Sequence, residues 1–317
     1  MDVSFIIPIY NRPEELSELL ESMTQQVPNG LSYEIIVVED GSTTPSDRVV
    51  KRYQNDLPII YITQSNTGPG GARNRGAEEA QGDYLHFLDS DTLLPPTFFR
   101  ELYTIVQCNS SDIFGGPDRA TESFTMVQKA IDYSMTSFWT TGGIRGHQSS
   151  LDTYYPRTFN MGILRRLFLH IHGFRNGMRY GEDLDLSMRA IEVGGQPKYY
   201  PQLFLYHKRR VSYSQFFQQI RQSGRARILL NRYHPGTLRW VHCLPTIFVL
   251  MHFFALLAPS LFVISLLYAL IIFIDAFGKG GGATFALHAV AATYTQHFAY
   301  GFGFIEAMLG LGEKKVP

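Results

Sequence analysis

Cysteine is scarce. Cys108 and Cys243 are the only two, far apart and with no Cys-x-x-Cys pair. That excludes a zinc knuckle and a disulfide framework, and it fits a reducing compartment. Net charge is missing as well, because 28 Lys and Arg balance 28 Asp and Glu. No global field calls for nucleic acid. Charged residues make up 18% of the chain, below the soluble average of about 25%. The opening MDVSFIIPIYNR lacks a basic leader, and Pro8 interrupts its short apolar run. It does not read as a signal peptide, so the first two-thirds is expected in the cytosol. Repeats and low-complexity segments are absent too.

What the chain does have is length and a skewed C-terminal third. Its 317 residues suffice for one large or two medium domains. From Val241 to Ile274 there is no Asp, Glu, Lys or Arg. A spanning helix needs roughly 20 apolar residues. This run is too long for one straight helix and short for two, with Pro259-Ser260 as a natural break. It reads as a short helical hairpin, or as one tilted span with an interfacial piece. Gly280–Ile305 is uncharged but rich in Ala, Gly, His and Thr, which suits the membrane surface.

The first two-thirds alternates strand and helix. Strands are predicted at Val3–Ile9, Glu34–Val38, Ile59–Thr63 and Asp83–Leu88. Helices are predicted at Arg12–Gln25, Pro45–Asn55, Ala72–Gln81 and Pro95–Gln107. This order predicts an α/β fold with a doubly wound, mostly parallel sheet. Such sheets bind ligands at the carboxyl ends of their strands. Asp40, the Asn66–Gly71 loop, Asp89 and Asp91 all fall at such ends. Residues 117–158 have no clean period and read as loops and short helices covering a cleft.

Four features carry possible chemistry. The strand Tyr84–Leu88 runs into Asp89-Ser90-Asp91. Residues two apart in extended chain point the same way, so both carboxylates can face one hard cation such as Mg²⁺ or Mn²⁺. Alone, the pair is also what a turn or a helix cap looks like. Gly68-Pro69-Gly70-Gly71-Ala72-Arg73 leads into a helix whose N-terminus favours anions, but it is neither a Walker loop nor a dinucleotide fingerprint. Gly181-Glu182-Asp183-Leu184-Asp185 opens another helix, where acids complement the dipole and one is available as a general base. His207 ends the apolar run Leu203–Tyr206 and is either structural or a metal ligand.

Taken in order, FIIPIYN, VVEDGS, NTGPGGARNRGAEEAQGDYLHFLDSD, FNMGILRR, GFRNG, GEDLDLSMRA and His207 resemble the family-2 inverting glycosyltransferases of GT-A fold. The resemblance covers about residues 3–210. It implies a nucleotide pocket lined by Pro8, Tyr10 and Arg12, with Asp40 on the base or ribose. Asn66, Gly71 and Arg73 would flank the nucleotide and diphosphate. Asp89 would touch ribose or metal-bound water, and Asp91 and His207 would hold Mg²⁺ or Mn²⁺. Asn160 and Gly162, with Glu182, fall near the donor sugar or acceptor. Asp183 matches the catalytic base.

Processive members carry Gln-x-x-Arg-Trp, whereas this chain reads Gln218-Gln219-Ile220-Arg221-Gln222. The missing Trp argues for transfer of a single sugar. The expected domains are a catalytic one at 1–212, an amphipathic interfacial helix at 213–240 and membrane-associated helices at 241–317. Tyr213, Phe216, Phe217, Ile220 and Ile228 would form the apolar face of the middle segment, with Arg221 and Arg225 at the membrane interface. The expected partners are a nucleotide-sugar donor, a UDP-sugar in the leading reading, a lipid-linked or saccharide acceptor, and membrane lipids, at the cytosolic face. Two alternatives are a polyprenyl-phosphate glycosyltransferase and a non-catalytic nucleotide-sugar-binding protein.

Overall fold

The structure is a computed structural model that describes residues 1–108, 111–119, 124–141, 154–208 and 210–311. These residues fall into two compact units, one from residues 1–119 and 152–208 and one from 120–151 and 209–317.

The first unit begins β1 (Val3–Ile9), α1 (Pro13–Thr24), β2 (Tyr33–Asp40), α2 (Asp47–Tyr53), β3 (Ile59–Gln64), α3 (Pro69–Glu79) and β4 (Tyr84–Leu88). It continues with β5 (Thr92–Leu93), α4 (Phe98–Cys108), β6 (Ile113–Gly115) and β7 (Asp118–Arg119). The chain then supplies α5 (Met126–Thr136) and α6 (Phe138–Thr141) to the second unit. It returns through β8 (Asn160–Leu164), α7 (Arg165–His170), α8 (Glu182–Glu192), β9 (Pro197–Tyr199) and β10 (Leu205–His207). The second unit resumes with α9 (Tyr213–Tyr233), α10 (Leu244–Phe254), α11 (Leu261–Ala276) and α12 (Gly282–Met308).

The main sheet has the order β3-β2-β1-β4-β8-β6-β9. All its pairings are parallel except those of β8, which runs against β4 and β6. The expected α/β, mostly parallel architecture is present. Side chains alternate along β1, so Phe5, Ile7 and Ile9 pack with Leu16, Leu19 and Leu102 on one face. Ile6 packs with Ala72, Ala77 and Leu186 on the other. Each layer of helices therefore buries its own apolar stripe against the sheet.

The strand order reverses at β1. Its ladder with β2 runs to Ile9–Glu39, but its ladder with β4 ends at Ile6–Phe87. Pro8 lies just beyond that last pair and has no N–H to extend it. The result is a crevice outside the carboxyl ends of β1 and β4, where doubly wound sheets bind ligands.

In the second unit, α12 is the central element, and α5, α9, α10 and α11 all pack on it. Small residues permit this. Ala286, Ala289, Ala292, Ala299 and Gly303 of α12 are all buried. A side chain at Gly303 would collide with the Arg221 carbonyl, so the α9–α12 crossing requires glycine there. α11 keeps an aliphatic outer face, with Phe262, Ile264, Leu266, Leu267 and Leu270 exposed. Leu261–Met308, kinked at Gly280, is long and apolar enough to cross a membrane by length and composition.

Two expected segments take shape here. Of the loops and short helices expected over 117–158, residues 126–136 form a regular helix, opened by a capping box between Thr125 and Gln128, and it packs on α12. Residues 142–153 of that segment lie outside the described residues. Part of the apolar face of α9 is covered within the bundle. Phe216 and Ile220 are buried with Ala130, Ile131, Ala292 and Ala299. Arg221 and Arg225 stay partly exposed. Both pair with Glu306 of α12, Arg225 through Nη2 at 2.6 Å.

Candidate active site

Each strand end around the crevice delivers one part of the site. β1 runs into Tyr10, Asn11 and Arg12, the last being the N-cap of α1. β4 runs into Asp89-Ser90-Asp91. Arg12 Nη1 donates to Asp91 Oδ2 at 2.8 Å and so closes the crevice at the reversal point. Asn11 accepts from the Thr43 and Thr44 amides at 2.8 and 3.0 Å, which fastens the β1 end to the loop after β2. Tyr10 stays half exposed at the rim.

β10 pairs with β5 in a small second sheet, with His207 opposite Thr92. That register brings His207 Nε2 to 3.1 Å from Asp91 Oδ1. One donor atom each from Asp89, Asp91 and His207 lie within 4.8 Å of one another. Two carboxylates and an imidazole suit Mn²⁺ or Mg²⁺. The other His207 nitrogen, Nδ1, is 3.6 Å from Asp118 Oδ2, the outer carboxylate that usually orients a ligating histidine. Burial pulls the His207 pKa down, but the Asp91 and Asp118 charges more than offset it and push it up to about 9. The group therefore keeps its proton at neutral pH unless a cation takes its place.

Arg73 of α3 joins this cluster to α8. Its side chain is 4% exposed, with Nη2 at 2.7 Å from Asp89 Oδ1 and Nη1 at 3.1 Å from Glu182 Oε1. Its guanidinium also lies 5.6 Å from the Phe174 ring centroid. Arg73 thus bridges two carboxylates and does not point outward. Burial first, and then the Asp183 charge, push the Glu182 carboxyl up, while Arg73 pulls the other way. Asp183 sits in the first turn of α8, where Oδ1 accepts from the Leu184 amide at 2.8 Å. Its Oδ2 lies 3.3 Å from Arg157 Nη1. Asp185 is turned away, fully buried between Arg175 and Arg189 at 2.7 and 2.8 Å.

Asp40 is committed to its own surroundings. Its oxygens accept from the Thr67 and Gly68 amides, both at 2.9 Å, and from Gln64 Nε2 at 2.7 Å. Asn66 Nδ2 donates to the Asp40 carbonyl at 2.9 Å. Together these bonds shape the loop that opens α3, with Gly71 in its first turn packed against Thr67.

Asn160 and Gly162 are buried on β8, with Asn160 opposite Leu88 at the carboxyl end of β4 and Gly162 two residues further in, opposite His86. Asn160 donates to the Leu203 carbonyl at 2.7 Å, and its oxygen meets His86 Nε2 at 3.1 Å. Gly162 is filled over by the Phe114 ring, which leaves no room for a side chain. Sequence reading missed Arg157 and Asp118. Both lie in the stretch without periodicity, and only the tertiary fold brings them to Asp183 and His207.

A doubly wound sheet with a carboxylate-lined crevice at its reversal point defines a GT-A-type protein. Residues 4–178, more than half the chain, match the sequence model of Glycosyl transferase family 2, and the chain belongs to that family. An uncharacterized glycosyltransferase from Haemophilus influenzae is 28% identical over 204 residues, covering 63% of this chain and 64% of the relative. The chain thus spans less than two-thirds of the curated relatives it matches first. Two solved structures share the fold. The mannosyltransferase PcManGT from Pyrobaculum calidifontis, in complex with GDP-Man and Mn²⁺, superposes with a TM-score of 0.61 at 14% identity, covering 97% of this chain and 87% of the other. S. aureus TarS 1–349 in complex with UDP gives 0.54 at 19% identity, covering 98% and 92%.

Proposed function

We propose that this chain is a membrane-attached, inverting glycosyltransferase. It moves one sugar from a nucleotide-sugar donor, a UDP-sugar by preference, to a hydroxyl of a lipid-linked or saccharide acceptor. The observation that carries the reading is the Arg73 bridge. One guanidinium ties the Asp89 end of β4 to Glu182, the residue before Asp183, which supports reading the cation ligands and the candidate base as parts of one site.

Asp91, His207 and Asp89 would hold Mg²⁺ or Mn²⁺, which supplies positive charge against the donor diphosphate as the leaving group gains negative charge. Arg12 steadies Asp91 from the β1 side. Asp183 takes the proton of the acceptor hydroxyl. The acceptor oxygen then bonds to the anomeric carbon as the bond from that carbon to the diphosphate oxygen breaks, with inversion. UDP leaves with the diphosphate. The TarS complex with UDP and the PcManGT complex with GDP-Man and Mn²⁺ support a nucleotide-bound site, and the first supports uridine.

Attachment to the membrane is supported by the aliphatic outer face of α11 and by the Leu261–Met308 run. The catalytic unit is assigned to the cytosol, where nucleotide sugars are made. The full chain should sediment with membranes and leave them in detergent but not in high salt. Mass spectrometry of lipids and glycans from cells with and without the chain tests the reaction. A sugar-bearing species present only with active chain is expected. Identical profiles, with no UDP released from any UDP-sugar by the purified chain, would contradict the reading.

A further inference from the structure

We infer that Arg157 is a positioning residue for the Asp183 carboxylate, set in place by the same helix that carries Asp183. This rests on Asp183 being the base proposed above. An aspartate side chain turns easily about its last torsion, so a base of this kind needs both oxygens held. Here Oδ1 is fixed by the Leu184 amide at 2.8 Å and Oδ2 by Arg157 Nη1 at 3.3 Å. Asp183 remains 16% exposed, and each carboxylate oxygen has a second lone pair for an acceptor proton.

The arm that delivers Arg157 is built in. Ser187 lies one turn after Asp183 on α8, fully buried, and its hydroxyl donates to the Pro156 carbonyl at 3.2 Å. The Arg157 carbonyl accepts from the Asn160 amide at 2.9 Å, at the start of β8. The backbone of Arg157 is thus tied to α8 on one side and to the sheet on the other. Its side chain stays 32% exposed, so core filling does not account for it. α8 therefore carries the base at its first turn and, four residues on, the anchor for the group that orients it.

The test uses the full chain in detergent with Mn²⁺. The readout is UDP released from UDP-glucose and UDP-N-acetylglucosamine with water as acceptor. Arg157→Ala should lower kcat by about tenfold, less than loss of the base itself, because the carboxylate survives. Donor KM, UDP affinity by calorimetry and melting temperature should stay nearly unchanged. Arg157→Lys should recover most of kcat, since it keeps a charged donor. In the Asp183→Asn background, adding Arg157→Ala should cost nothing further, because the group it orients no longer accepts a proton. A normal kcat in Arg157→Ala beside a depressed one in Asp183→Asn would overturn the role of Arg157 alone. So would a loss that is fully additive, or one confined to KM. Normal turnover in Asp183→Asn would instead remove the base on which the inference rests.

Discussion

In the sheet unit, charge is buried at strand ends and helix starts: Arg73, Asp91 and Glu182 are each less than a tenth exposed, and all are paired. In the helical unit, the buried polar side chains are Ser, Thr, Gln and His. They satisfy one another, as where His252 Nε2, Ser265 Oγ and Tyr294 OH meet in successive contacts of 2.8 Å. Outside, that unit exposes aliphatics along α11. Buried charge is costly unless it is paired or meets a ligand, so its concentration marks where chemistry happens. Apart from the partly exposed Arg221, Arg225 and Glu306 cluster, the polar groups buried in that unit are neutral, which suits burial without a ligand. The two halves of one chain thus spend their polar groups on different tasks.

The contrast breaks most sharply at Asp183. Asp183→Asn keeps size and most polar contacts but cannot accept a proton. Turnover should fall by about 10²–10⁴-fold with UDP affinity nearly unchanged. Asp185→Asn should affect rate far less, because Asp185 is occupied by Arg175 and Arg189; its cost should appear in the melting temperature. Equal kinetic losses in the two variants would mean that α8 matters only as a scaffold.

Next comes the helical unit. Gly303→Val should cost about 3 kcal/mol, because the α9–α12 crossing has no room for the added carbons. The melting temperature in detergent reads this. A variant as stable as the parent would mean that the helices do not cross so closely.

His86 gives a pH effect confined to the sheet. Burial pushes its pKa down to about 3. The unfolded chain takes up a proton below about pH 6.5 and the folded one does not, so this contribution is present above that pH and lost as pH falls. Between pH 7 and pH 5 the loss is about 2 kcal/mol. Urea unfolding of the parent and of His86→Leu should show that difference in pH slope. His207, raised to about 9, works in the opposite sense: its contribution is complete below about pH 6.5 and is lost as pH rises through 9.

The smallest effect is expected at Glu306. Glu306→Gln leaves Arg221 and Arg225 without their counter-charge. Both arginines are partly solvated, so the cost should be about 1–2 kcal/mol. No change in melting temperature would show the triad to be incidental.

Much of the sheet was legible because its signals are local. Strand–helix alternation, the glycine-rich turn before α3 and the acids at 89 and 91 each announce a strand end from sequence alone. What stayed hidden depends on pairing across the fold. The bonds of Asn160 to His86 and to the Leu203 carbonyl join residues 74 and 43 positions apart. The pairing of Arg221 and Arg225 with Glu306 was hidden because Glu306 is some eighty residues further on. The bounds of α5 within the expected loops and short helices stayed hidden because part of its buried face is Gln128, Ser134 and Ala130, which gives little apolar contrast. Periodicity finds a helix only when its buried side is apolar and its exposed side is not.

The central claim is that a divalent cation held by Asp91, with Asp89 and His207, stands between the sheet rim and a nucleotide diphosphate. Carboxylate and diphosphate repel unless a cation separates them. Calorimetry of UDP binding to the full chain, with Mn²⁺ and with chelator, tests it directly. The account predicts tight binding with Mn²⁺ and a sharp loss with chelator. Asp91→Ala should erase that difference, and His207→Ala should weaken it less, since a hard cation is held mainly by oxygen. Equal UDP affinity in all these conditions would contradict it.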